Sequence, residues 1–107
     1  MQFEVVITFN LKKKIKSINK DHRRFILKAF QKIKKMGLNA LKILKAYENY
    51  LLCEIKFKKP PYRLYVIVDQ KEKTFFLVEW EHKKNQKRIL DILSKSLKNG
   101  IKKIIEY

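Results

Sequence analysis

The sequence predicts an α+β domain with a mostly antiparallel four-stranded sheet, an N-terminal helical hairpin on one face and a C-terminal helix. Three observations predict this class. Residues 51–82 contain three apolar runs separated by turn signals, amphipathic helical patterns precede and follow them, and residues 3–9 are rich in β-branched and aromatic side chains. At 107 residues the chain has the size of one domain, 1–107. We expect both hairpin helices to cover one sheet face and the opposite face to stay open.

The N-terminal third predicts one strand and two helices. We expect the strand 3–9 to be central in the sheet, because both of its faces are apolar. Asn10 offers an N-cap for a short amphipathic helix that runs to about Asn19. Asp21 can cap a second, longer helix, which ends at Gly37, since glycine adopts the left-handed conformation of a helix C-terminus without cost. These two helices form the predicted hairpin.

The rest of the chain predicts three strands and a helix. Residues 38–50 mix helical spacing with a turn signal, and we interpret them as a short helical or irregular bridge. The prolines at 60–61 and the charged turn at 69–73 are typical of two consecutive hairpins. Apolar residues at helical spacing predict a helix over about 85–98. Residues 101–107 either extend this helix or return as a strand.

The charge balance indicates a partner that is a polyanion. Lys and Arg number 27 against 10 Asp and Glu, which gives a formal net charge of +17. The alternative is a lysine-rich surface that is merely solvated. No run approaches the ~20 apolar residues of a membrane span. The N-terminus has no basic leader, and the single Cys53 has no partner for an internal disulfide, so we expect a cytoplasmic protein that does not bind membranes.

Two neighbouring strands carry candidate site residues. Arg63, at the start of a strand, can hold a phosphate with its planar fork and stabilise charge that develops on it. The alternative is an ion pair of Arg63 with Glu54 or Asp69. Glu54 and Lys56 alternate onto one face of the preceding strand, where an edge pair that aids solubility is the alternative.

A cationic run, residues 82–88, follows the last strand. His82 ends that strand and can donate a proton near neutral pH if it contacts a phosphate. Lys83, Lys84, Lys87 and Arg88 lead into the predicted helix, and lysines at a helix N-terminus oppose the helix dipole unless an anion is bound. The run therefore indicates an anion-binding function.

Together these residues fit metal-free cleavage of RNA. Such cleavage needs a base for the 2′-hydroxyl proton, a cation for the charge on phosphorus and an acid for the leaving 5′-oxygen. We expect Glu54, Arg63 with Lys56, and His82 to fill these roles on one exposed face. The sequence has neither a glycine-rich phosphate loop nor a Cys/His cluster with zinc spacing, so we expect no metal and no cofactor.

The segments ENYLLCEIKF, PPYRLYVIVD and FFLVEWEHKKNQK resemble the RelE/HigB branch of the RelE/ParE toxin superfamily, over nearly the whole chain. The matching motifs, in the order typical of the family, are Glu54-Lys56, Tyr62-Arg63-Leu64 and His82-Lys83-Lys84. The resemblance implies a small RelE-like fold and a type II toxin that cleaves mRNA without metal, usually on the ribosome. It also implies a cognate antitoxin protein, which blocks the basic face and links the toxin to DNA only indirectly.

One departure concerns a tyrosine that RelE-like members often carry after the basic cluster. Here Lys87 stands at that position, which fits HigB-like members, and the only later tyrosine is Tyr107. The predicted catalytic residues are Glu54, Arg63, His82 and Lys83. The predicted RNA-binding residues are Lys56, Lys58, Lys84, Lys87 and Arg88. The alternatives are a ParE-like inhibitor of DNA gyrase and a catalytically inactive, basic RNA-binding homologue.

Overall fold

A computed structural model describes residues 3–99 of the chain. Its elements are β1 (Glu4–Ile7), α1 (Phe9–Ser17), α2 (Lys20–Met36), β2 (Lys42–Tyr47), β3 (Tyr50–Phe57), β4 (Tyr62–Asp69), β5 (Thr74–His82) and α3 (Gln86–Lys98). Single turns of 3-10 helix occupy Gly37–Ala40 and Lys83–Asn85. One sheet runs in the order β1-β5-β4-β3-β2, with β1 parallel to β5 and the other three pairings antiparallel. The α+β class and the mostly antiparallel sheet are confirmed; the prediction for residues 101–107 lies outside the described residues.

The sheet has five strands, not the four predicted, because β2 pairs with β3 where a helical or irregular bridge was expected. The register of this pairing shifts between Ile43 and Lys45, as in a β-bulge. Leu44 and Tyr47 therefore both pack inward although they are three residues apart. A spacing of three is typical of a helix, and the bulge thus explains why the pattern was misread.

β1 lies at an edge of the sheet, so its predicted central position is wrong. Its residues pair in parallel with Thr74–Leu77 of β5. Val5 and Ile7 pack into the core under the helical hairpin, whereas Val6 packs into the core on the opposite side. Both faces of β1 are apolar because both faces of the sheet are covered.

Two hydrophobic cores lie on opposite faces of the sheet. Leu11 of α1 and Ile26 of α2 pack against one face, as the predicted hairpin requires. Ile89, Leu93 and Leu97 of α3 pack against the other face. The expectation that this second face stays open is therefore wrong, and the domain has three layers. None of the helices within residues 3–99 has the length and apolar character needed to cross a membrane.

The helix starts differ by one or two residues from those predicted. Thr8, not Asn10, is the N-cap residue of α1, and Asn10 lies inside the helix. Asn19, not Asp21, caps α2, because its Oδ1 accepts a hydrogen bond from the backbone N–H of His22 at 2.9 Å.

Gly37 ends α2 as predicted, but its φ of 60° and ψ of −134° are a glycine-favoured conformation other than the left-handed helical one that was expected. A Cβ atom at this position would lie 3.2 Å from two ring atoms of Phe3. Both the backbone conformation and the packing of Phe3 therefore favour glycine.

Candidate functional site

Three neighbouring strands place their charged residues at one end of the sheet. Lys56 of β3 lies opposite Arg63 of β4, which in turn lies opposite Glu81 of β5. Glu54 is two residues from Lys56 and therefore shares its face of the sheet. This is the face that α3 covers, since Leu52 and Tyr65 on the same strands belong to the core beneath that helix.

The centre of this cluster is a buried ion pair between Glu54 and Arg63. The Arg63 Nε atom lies 3.8 Å from Glu54 Oε2. Gln86, the first residue of α3, donates a hydrogen bond of 2.9 Å from Nε2 to Glu54 Oε1, and Arg63 Nη1 donates to the Tyr62 carbonyl at 2.9 Å. Glu54 is 2% exposed and Arg63 is 7% exposed. The sequence left two interpretations of Arg63 open, a phosphate ligand and an ion pair. The structure shows an ion pair with Glu54.

Two buried polar atoms in this cluster lack a hydrogen-bond partner among the described residues: Arg63 Nε, which belongs to the ion pair, and the Tyr65 hydroxyl. Tyr65 lies between Glu54 and Glu79 in the sheet register. Burial, and after it the negative charge of Glu54, raises the pKa of Tyr65 to about 12. Tyr65 is therefore neutral at physiological pH and can act as a hydrogen-bond donor.

A second set of charges, which the sequence did not reveal, joins α1 to the end of β5. Lys14 Nζ lies 2.6 Å from Glu81 Oε2 and 3.4 Å from Glu79 Oε1, and it donates to the Trp80 carbonyl at 3.0 Å. Asn85 Nδ2 donates to Glu81 Oε1 at 3.0 Å. Burial raises the pKa of Glu81, but the hydrogen bonds from Lys14 and Asn85 outweigh it and bring the net pKa below its ordinary value.

These carboxylates do not form a metal site. Within the part of the chain that the structure describes, no group of three or more His, Cys, Asp and Glu side chains is arranged to hold a metal ion. Glu54 is engaged by Arg63 and Gln86, and Glu81 by Lys14 and Asn85.

His82 lies on the opposite face of the sheet from Arg63, which corrects the expectation that they share one face. His82 is paired with Tyr62 in the register, and their rings are in edge contact with centroids 5.3 Å apart. Tyr62 packs against the core under α1 and α2, and strand alternation turns the next residue, Arg63, to the other side. His82 and Arg63 are thus near one another along the strands but separated by the sheet.

A bulge causes this separation. The pairing of β4 with β5 shifts by one residue between Tyr65 and Val66, where Val78 is skipped. Without the shift, Arg63 would lie opposite Trp80, and His82 would share the face of Arg63. A shift of one residue moves every later side chain of a strand to the other face.

His22, which no sequence motif distinguishes, connects α2 to the His82 end of the sheet. Its Nδ1 accepts a hydrogen bond of 3.2 Å from Trp80 Nε1, and its ring lies 4.5 Å from that of Tyr62. His22 is buried, so the bond satisfies the indole N–H inside the core. The first turn of α2 therefore borders the same sheet end as the candidate site.

The predicted RNA-binding cations surround this end on the surface. All five, Lys56, Lys58, Lys84, Lys87 and Arg88, are exposed, and so is the predicted catalytic residue Lys83. The Lys83 backbone N–H donates to the Pro61 carbonyl at 2.7 Å, and the Lys84 N–H donates to His82 Nδ1 at 3.1 Å. The first of these bonds holds the start of the cationic run beside the first residues of β4, and the second stabilises the turn within the run. A shallow depression along α3 continues the run between Lys84 and Lys95.

Comparison with known proteins adds information from structure alone. Neither protein-family models nor curated protein sequences match the chain. The fold is similar to that of the archaeal RelE in its complex with RelB from Pyrococcus horikoshii OT3, with a TM-score of 0.62, 18% identity, and coverage of 78% of this chain and 97% of that one. It is also similar to the E. coli toxin RelE, as a double arginine-to-alanine mutant in the free state, with a TM-score of 0.66, 13% identity, and coverage of 89% and 98%.

The chain has a RelE-like fold. The resemblance first drawn from short motifs is therefore confirmed at the level of the fold. In the RelE-like fold of this chain, the motif residues Glu54, Arg63 and Lys83 gather at one end of the sheet, with His82 behind them on the hairpin side.

Proposed function

We propose that this protein is the toxin of a type II toxin–antitoxin pair and that it cleaves mRNA on the ribosome as a metal-independent endoribonuclease. The observation that carries the proposal is the Glu54–Arg63 pair at one end of a RelE-like sheet, bordered by a run of exposed cations. The net charge of +17 supports a nucleic-acid substrate. The proposed setting is the cytoplasm, with a cognate antitoxin protein as partner and contact with DNA only through that complex.

In the proposed reaction the scissile phosphate lies across the ends of β4 and β5. Glu54 takes the proton of the 2′-hydroxyl, whose oxygen attacks phosphorus, and Arg63 with Lys56 stabilises the added negative charge. The 5′-oxygen leaves with a proton from water, because the sheet separates His82 from Arg63, while Lys83 holds a phosphate oxygen. The products are a 2′,3′-cyclic phosphate and a 5′-hydroxyl.

The proposal requires a local opening. Glu54 and Arg63 are almost fully buried, and the Gln86 amide occupies Glu54 Oε1. RNA must therefore displace the Gln86 side chain before Glu54 can contact a 2′-hydroxyl. Arg63 then keeps a phosphate oxygen in place of the carboxylate as its anionic partner.

The test is cleavage of a defined mRNA, free and bound to ribosomes, by the wild-type protein and by Arg63→Lys. Lysine keeps a positive charge beside Glu54 but lacks the planar fork, and removal of such a stabilising donor costs about 10²–10³ in rate. Lys45→Gln, an exposed cation on β2, serves as the control and is expected to cleave like the wild type. Circular dichroism checks that each variant is folded.

Attack by the 2′-hydroxyl can be tested separately from the role of Arg63. A single 2′-deoxy nucleotide at the cleaved position should block the reaction, and the wild-type products should end in a cyclic phosphate. Absence of cleavage by the folded protein in both settings would refute the proposal. Inhibition of DNA gyrase supercoiling by that protein would then favour the ParE-like alternative.

A further inference from the structure

The outer surface of α2 carries a row of four cations that the candidate site does not use. Lys20, Arg24, Lys28 and Lys32 recur at every fourth residue, and all four are exposed. Residues four apart are neighbours on a helix surface, so the row follows the helix axis over roughly 18 Å at ~1.5 Å per residue. The row lies on the hairpin side of the sheet, whereas Glu54 and Arg63 lie under α3.

The order of these charges argues against an ordinary solvated helix face. Solvated faces commonly alternate acidic and basic residues, because opposite charges at a spacing of four stabilise a helix and like charges destabilise it. Asp21 is the only acidic residue in α2, and α1 contains none. The row therefore contains three successive like-charge pairs at a spacing of four. A bound anion would offset the repulsion between these cations.

The surface beside the row is largely apolar in accessible area, but every charged group on it is a cation. A shallow depression is lined by Lys20, Arg23, Arg24, Leu27, Lys28 and Gln31. The centres of protein–protein interfaces are depleted of lysine, whereas nucleic-acid interfaces are strongly positive and polar. Evenly spaced cations of one sign match the evenly spaced charges of a phosphate chain.

We infer that the row Lys20, Arg24, Lys28 and Lys32 binds the phosphate backbone of a structured RNA, as a second RNA-binding surface distinct from the cleavage site. The inference rests on the proposed function for the choice of RNA as the polyanion. His22 in the first turn of α2 contacts Tyr62, which contacts His82. The row thus begins at the sheet end where the cleaved strand binds, and one large RNA assembly can contact both surfaces.

The test compares two variants that each lose four positive charges. The row variant is Lys20→Gln/Arg24→Gln/Lys28→Gln/Lys32→Gln. The control variant is Lys42→Gln/Lys45→Gln/Lys71→Gln/Lys73→Gln, which changes exposed lysines on β2 and in the turn before β5. Binding of a labelled RNA hairpin and of a short single strand is measured from low to moderate salt, with circular dichroism as the check on folding.

For the RNA hairpin, the row variant loses four phosphate contacts and is expected to reduce the magnitude of the slope of log affinity against log salt by roughly 3.6, at ~0.9 per contact on a double helix. The control variant is expected to keep a slope close to that of the wild type. Equal slopes for the two variants would overturn the inference. Weakened binding of a poly-glutamate peptide with unchanged RNA binding would also overturn it and would assign the row to an acidic protein.

This outcome is separable from that of the proposed function. If the wild type binds the hairpin through the row but cleaves no RNA, the proposed function fails and the inference stands. If the wild type cleaves RNA and the row variant matches the control in both hairpin binding and cleavage on ribosomes, only the inference fails.

Discussion

The side-chain amide of Gln86 donates a hydrogen bond of 2.9 Å to the carboxylate of Glu54, although the two residues are 32 positions apart. This bond joins the first residue of α3 to the middle of the sheet and closes the candidate site. The same carboxylate faces Arg63 through its other oxygen. Access to the Glu54 carboxylate therefore depends on the Gln86 side chain.

Gln86→Ala is expected to lower the free energy of unfolding by about 1–3 kcal/mol, because it removes a donor from the buried oxygen Glu54 Oε1. Urea denaturation followed by circular dichroism measures this change. Lys87→Ala, one position along and exposed, is expected to change stability by no more than about 0.5 kcal/mol. Equal stabilities of the two variants would show that the bond contributes nothing.

Arg63→Met is expected to destabilise the protein by roughly 3–5 kcal/mol, because it leaves the charge of Glu54 buried without its cation. Adding Glu54→Leu to the same chain should recover part of this loss, since apolar pairs replace buried ion pairs at little cost. The full double-mutant cycle, measured in urea, gives the coupling between the two side chains. If the effects of the two substitutions are additive, the two side chains, 3.8 Å apart, do not stabilise each other.

Glu81 is expected to make stability depend on pH on the acid side. Its pKa is lowered in the folded protein, so its contribution is fully present above the unfolded-state pKa of ~4.3 and is lost as pH falls through the folded-state value. Glu81→Gln should therefore reduce stability most at neutral pH, and the difference from the wild type should shrink on acidification. Glu72→Gln, an exposed carboxylate, is the control. A difference that stays constant from pH 7 to pH 3 would contradict the assignment.

Gly37→Ala is expected to cost about 1–3 kcal/mol, because the backbone conformation at φ 60° is strained for alanine. The new methyl group would also meet the Phe3 ring at 3.2 Å. Thermal unfolding measures the loss, with Asn39→Ala in the adjoining exposed turn as the matched control. A melting temperature equal to that of the control would show that α2 can end here without glycine.

The sequence predicted what depends on local pattern and missed what depends on register. The apolar runs around Cys53, Val66 and Leu77 predicted β3, β4 and β5, because alternation and turn residues are local signals. The position of His82 was wrong because one skipped residue, Val78, exchanges the two faces of β5.

Contacts between distant segments were equally invisible in the sequence. A polar side chain at a helix start, such as Gln86, gives no indication that its partner lies on a strand 32 residues earlier. The motifs predicted which residues gather at one end of the sheet, but not that the central pair would be covered. Charge composition predicted a polyanion partner, while the row on α2 required the helix bounds to be known.

The pairing of β1 with β5 also governs when the domain can assemble during synthesis. The backbone partners of β1 are residues 74–77, about seventy positions later in the chain. As α1 and α2 leave the ribosome, the strands that would cover their apolar stripes have yet to be translated. The native arrangement is therefore reached only near the end of translation. Until then the nascent chain exposes apolar surfaces, which favour early binding by a chaperone.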